Sequence, residues 1–168
     1  MQSIQNILKP VFIGLAGTVL LIVTLPFLLI IVPIAYFQRK QFEKKYAKYL
    51  MEISGKNFFC YNNRKNSKEY IEKNIIPYLD SQIEVVFLNG TVVESDFDNK
   101  FISEALYKLK HYRKFPHLMK VRDGKVIDRS INNPFYEVLN MKKAKANLLS
   151  TVNEFFNMHT KETMPNTD

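Results

Sequence analysis

Few residues in this chain are of a type that could carry out chemistry. Cys60, the lone cysteine, lies in the apolar run "NFFCY", and His111, His117 and His159 are scattered. Thiol chemistry needs an accessible thiolate, and disulfide exchange needs a partner sulfur. One cysteine excludes an internal disulfide, and no Cys-x-x-Cys pair exists. Flanked by aromatic residues, Cys60 reads as a small core hydrophobe and only a weak catalytic candidate. The sharper rival is a monothiol oxidoreductase or peroxidase using that residue. The histidine spacing matches no metal site. Glu94, Asp96 and Asp98 are clustered, but no EF-hand spacing or glycine accompanies them, so they read as a loop that caps the next helix. Ser67 lacks the third member of a triad and an oxyanion hole. No glycine-rich phosphate or dinucleotide motif is present, and no cofactor is expected.

What remains is charge. Lys plus Arg number 24 against 16 Asp plus Glu, a formal net charge of +8. Such a chain favours anionic surfaces: lipid headgroups, nucleic acid or acidic proteins. The basic stretches carry no recognisable nucleic-acid motif, so RNA and DNA rank last among these partners.

The elements that position these residues begin with a membrane segment. Residues 11–37, "VFIGLAGTVLLIVTLPFLLIIVPIAYF", carry no charge. A spanning helix needs about 20 apolar residues, whereas a signal-peptide core has roughly 7 to 15. The run is therefore expected to be an uncleaved anchor within residues 1–38, with the lipid bilayer as its partner. Pro26 and Pro33 are places where it can kink or end. Lys9 precedes the run, while Arg39, Lys40, Lys44, Lys45 and Lys48 follow it. The positive-inside rule then puts the N-terminus outside and the C-terminal domain in the cytoplasm. Residues 39–55 read as a basic juxtamembrane helix, with Phe42, Tyr46, Tyr49, Leu50 and Ile53 at helical spacing. Two readings fit it: a helix lying on anionic lipid, or a stalk packed on the domain.

From 56 to 157 the pattern alternates. "NFFCY" reads as a strand, "NSKEYIEKNIIPYL" as a helix capped by Asn66 or Ser67, and "IEVVFLNG" as a second strand. "DFDNKFISEALYKLKHYRK" is the most regular amphipathic helix, with Glu104 four residues before Lys108. "HLMKVR" and "KVIDR" flank Asp123-Gly124, a pair suited to a type I′ hairpin turn. Residues 130–141 read as a polar insert. "KKAKANLLSTVNEFF" closes the domain as a helix with Ala144, Leu148, Val152, Phe155 and Phe156 inward, and 158–168 reads as a disordered tail. The fold class is thus α/β: an N-terminal transmembrane helix, then β-α-β-α-β-β-α with a four-stranded mixed sheet.

Pro116, followed seven and eight residues later by Asp123 and Gly124, resembles the thioredoxin-like superfamily, as do the element order and the closing helix. The resemblance spans residues 56–157. It implies the spatial order 2-1-3-4 for the four strands and a cis Phe115-Pro116 bond. It also implies that the loop after the first strand, where relatives carry Cys-x-x-Cys, is here "NNRKNS", 62–67. A redox-inactive binding module is then expected, and a degenerate single-cysteine oxidoreductase is the alternative. In the implied fold that loop and the turn before Pro116 meet at one end of the sheet. Arg64, Lys65 and Lys68 would join Lys110, Arg113 and Lys114 there, with a groove beside Pro116. Residues 80–98 hold Asp80, Glu84, Glu94, Asp96 and Asp98 and no Lys or Arg, so the domain would be polarised. The basic surface either receives an acidic partner segment or anionic headgroups, or is a solvated rim.

Overall fold

The computed structural model describes residues 2–141 and 143–157. The expected tail, 158–168, and with it His159, lies outside the described residues. The chain divides into two compact units, Met1–Lys45 and Tyr46–Asp168.

The first unit is helical throughout its described residues. Helix α1, Gln2–Glu52, begins there and continues into the second unit. It is long and apolar enough to cross a membrane. Pro26 and Pro33 lie within it and do not end it. In this helix, Thr18 and Thr24 each donate a side-chain hydrogen bond to the carbonyl four residues back, Gly14 and Leu20, which satisfies the hydroxyl without water.

The second unit is a mixed five-stranded sheet with helices on both faces. Its elements are β1 (Asn57–Asn62), α2 (Lys65–Asn74), a 3-10 turn (Ile76–Tyr78), β2 (Ile83–Asn89), β3 (Val92–Glu94), α3 (Asn99–Tyr107), β4 (His117–Arg122), β5 (Lys125–Ser130), α4 (Asn132–Met141) and α5 (Lys145–Phe156). The strand order is β3-β2-β1-β4-β5. The four expected strands lie in the expected order, β1 parallel to β2 and antiparallel to β4. The expectation of four strands is corrected to five. Val92–Glu94 folds back on Phe87–Asn89 across Gly90, whose φ of +64° suits the tight return.

Strand alternation sorts the side chains between two faces. Phe59, Tyr61, Ile83 and Leu118 share one, packed with Ile71 and Ile75 of the α2 region, Phe135 and Val138 of α4, and Leu148, Val152 and Phe155 of α5. Each fully buried side chain of this size contributes about 1.5–3 kcal/mol. Phe58, Cys60, Val86, His117, Met119 and Val121 take the other face, all buried. Helix α3 covers it: Phe97, just before α3, meets Phe58 edge-on at 5.1 Å, and His111, just after it, touches His117. Within the second unit, Tyr46, Leu50 and Ile53 are buried and Tyr49 stacks on Phe101 at 4.8 Å. Residues 46–53 are therefore packed on the sheet domain, as in the stalk reading.

Several local expectations change. The insert at 130–141 is mostly helix α4; Pro134 sits in its first turn, where no backbone donor is missed, and Phe135 and Val138 face the core. Helix α2 starts at Lys65 with Arg64 as its extended N-cap residue and no side-chain cap. Ser67 lies inside the first turn and donates back to the Arg64 carbonyl, so neither Asn66 nor Ser67 caps the helix. Ala144 is exposed at the start of α5 rather than inward. Asp98 does cap α3, accepting from the amides of Lys100 and Phe101, and Glu104 pairs with Lys108 at 3.1 Å. Asp123 and Gly124 have φ of +50° and +67°, the I′ geometry.

Candidate ligand-binding surface

Cys60 occupies the middle of the sheet. Its Cα partners are Val86 on β2 and His117 on β4, and it has no exposed surface. Burial pushes its thiol pKa far up, and the nearby Asp128 carboxylate adds to that. A thiol held protonated and sealed from reagents has neither of the properties that exchange chemistry requires. Ser67, in the first turn of α2, is itself buried and committed to the Arg64 carbonyl.

The basic residues fall into two groups. Lys68 lies 4.5 Å over the ring of Phe87 and 3.8 Å from Glu72, which in turn accepts the Tyr61 hydroxyl. It belongs to that local cluster. Arg64 and Lys65 are exposed at the head of α2, and Lys110, Arg113 and Lys114 are exposed in the turn between α3 and β4. The two stretches are joined directly: the Arg64 guanidinium donates to the Arg113 carbonyl at 3.2 Å. The turn closes through the Lys114 amide, which donates to the His111 carbonyl at 2.7 Å, and residues 109–114 line an open depression of about 300 Å³.

Among the described residues, none of Arg64, Lys65, Lys110, Arg113 and Lys114 makes an ion pair. Several other lysines of the domain are engaged: Lys56 by Glu84, Lys108 by Glu104, Lys143 by Glu137, and Lys120 by the Phe155 carbonyl. Unneutralised positive charge is thus gathered where the two stretches meet. Four acidic residues of 80–98 serve local contacts: Asp80 accepts from the Gln82 amide, Glu84 pairs with Lys56, Glu94 accepts from Asn89 and Asp98 caps α3.

Pro116 is buried and its peptide bond to Phe115 is cis. The carbonyls around it are already engaged. Ser130 Oγ donates to Lys114 O at 2.6 Å, Asn132 Nδ2 to Phe115 O at 2.6 Å, and the Ile131 amide to Pro116 O at 3.0 Å. Each of these three acceptors thus already holds one hydrogen bond, and the exposed Lys110, Arg113 and Lys114 beside them carry the charge of the surface. Ser130 and Asn132 were invisible as site residues in the sequence, because they lie in the stretch read as a polar insert.

His117 sits behind this turn. Its Nε2 lies 2.8 Å from the His111 carbonyl, so Nε2 carries the proton and donates. Its Nδ1 has no hydrogen-bond partner. Among the described residues, no group of His, Cys, Asp and Glu could hold a metal ion. No family model matches the chain, and neither does any curated protein or solved structure.

Proposed function

We propose that this chain is a membrane-anchored, redox-inactive, thioredoxin-like module that binds an anionic partner through the surface built from Arg64, Lys65, Lys110, Arg113 and Lys114. The observation that carries the reading is the Arg64–Arg113 contact, which unites two cation-bearing stretches remote in sequence. The element order and the mixed sheet support the thioredoxin-like assignment, with β3 as an added edge strand. The sealed thiol of Cys60 weighs against the oxidoreductase alternative. The long apolar helix supports a single-pass anchor, and the Lys/Arg excess after residue 38 supports an external N-terminus with the domain in the cytoplasm.

Two experiments test this. Charge reversal of Arg64, Lys65, Arg113 and Lys114 removes salt-dependent binding to acidic peptides and anionic vesicles while the fold survives. Unchanged binding by a folded variant leaves only a solvated rim. A reporter fused after Asp168 is active only in its cytosolic form; activity of an external reporter refutes the orientation.

A further inference from the structure

We infer that the turn 107–114, together with Arg64 and Lys65, is a membrane-docking surface for the anionic phospholipid headgroups of the bilayer in which the chain is anchored. The inference rests on the binding-module reading above and narrows its ligand to lipid.

Three observations carry it. First, the exposed cations of this surface lack acidic partners, whereas most lysines elsewhere on the domain are paired or held over aromatic rings. A bilayer with anionic lipid supplies many phosphates and carboxylates at no fixed spacing. Long, unpaired Lys and Arg side chains suit such a surface better than they suit one rigid ligand.

Second, aromatic surface lies beside the charge. Tyr107, the last residue of α3, is 73 % exposed and packs on Tyr112 with ring centroids 5.7 Å apart. Tyrosine flanked by Lys and Arg is the composition of a membrane interface, where the ring sits among headgroups and its hydroxyl stays wet. The depression lined by 109–114 is open, with Lys110, Arg113 and Lys114 among its residues.

Third, the chain carries its own tether. The apolar helix keeps the domain at high effective concentration over a bilayer, so contacts too weak to recruit a free protein still hold a tethered one. Each Lys or Arg close to an anionic leaflet shifts such an equilibrium by about fivefold.

The chain contains no tryptophan, so Tyr107→Trp introduces a single reporter at the proposed contact. The full-length variant is placed in phosphatidylcholine nanodiscs with or without phosphatidylserine, and indole emission and quenching by brominated lipid are read. The expected result is a blue shift and quenching that depend on phosphatidylserine and are abolished by high salt. Adding Arg113→Glu and Lys114→Glu abolishes them too, whereas the distant charge change Lys73→Glu leaves them intact. Indifference of the reporter to phosphatidylserine overturns the inference. A polyglutamate peptide added in neutral nanodiscs then separates the two ideas. A response to the peptide alone means that the surface binds acidic protein and that only the lipid assignment has failed. A response to neither refutes the binding module as well.

Discussion

His117 Nδ1 lies 3.8 Å from the Asp128 carboxylate, too far for a hydrogen bond, with the imidazole wholly buried between β1 and β5. The groups facing this ring are Asp128 and Ser130 of β5, Cys60 of β1 and the carbonyl of His111, with Phe115 edge-on at 5.1 Å. The bond to His111 and the charge of Asp128 favour a proton on the ring. Burial opposes it more strongly, and the net effect is a pKa below the usual histidine value.

The consequence for pH follows from linkage. The unfolded chain binds a proton near pH ~6.5, whereas folded His117 resists protonation until lower pH. Stability is therefore undiminished above that value and falls as pH drops through it toward the lower folded pKa. Denaturant unfolding of the full chain in detergent at a series of pH values is expected to show this loss. In His117→Phe the slope flattens below neutrality. An unchanged slope in that variant assigns the loss to other groups.

Cys60 is expected to label slowly with a thiol reagent until denaturant is added, because the reactive thiolate forms only when the sheet opens. Cys60→Ser buries a hydroxyl between Val86 and His117 and destabilises by about 1–3 kcal/mol. Rapid labelling of the native domain would contradict both the burial and the redox-inactive reading.

Asn132→Ala leaves the Phe115 carbonyl without its side-chain donor. A part-buried acceptor left unpaired costs about 1–3 kcal/mol. The expected outcome is a lower denaturation midpoint with an unchanged slope. Faster amide exchange confined to residues 108–117 would mark the loss as local to the turn that carries Lys110, Arg113 and Lys114.

Gly124→Ala forces an L residue into φ of +67° and brings its Cβ within 2.5 Å of Met51 Sδ. The thioether can swing aside, so the backbone term dominates at about 1–2 kcal/mol. Pairing it with Met51→Ala tests this. If the loss from Gly124→Ala is as large in the Met51→Ala background, the backbone is its source; if the loss disappears there, steric contact is.

The charge-free run at 11–37, the amphipathic period of α3 with its Asp98 cap, and the Asp123-Gly124 turn were legible because each depends on neighbours along the chain. The resemblance carried the strand order and the cis bond. The sequence did not disclose β3, since three residues with one buried valine have no period, and only pairing with Phe87–Asn89 makes them a strand. Helix α4 was hidden by Asn132, Asn133 and Pro134, which signal a loop until Phe135 and Val138 find the core formed by α5 and the sheet. The surface was legible as a list of basic residues but not as a site. Tertiary structure alone drew Lys68 toward Glu72 and Phe87, joined Arg64 to Arg113, and used Ser130 and Asn132 to occupy the carbonyls beside Pro116. These are contacts between segments far apart in the chain, and the packing of the sheet decides which of them form.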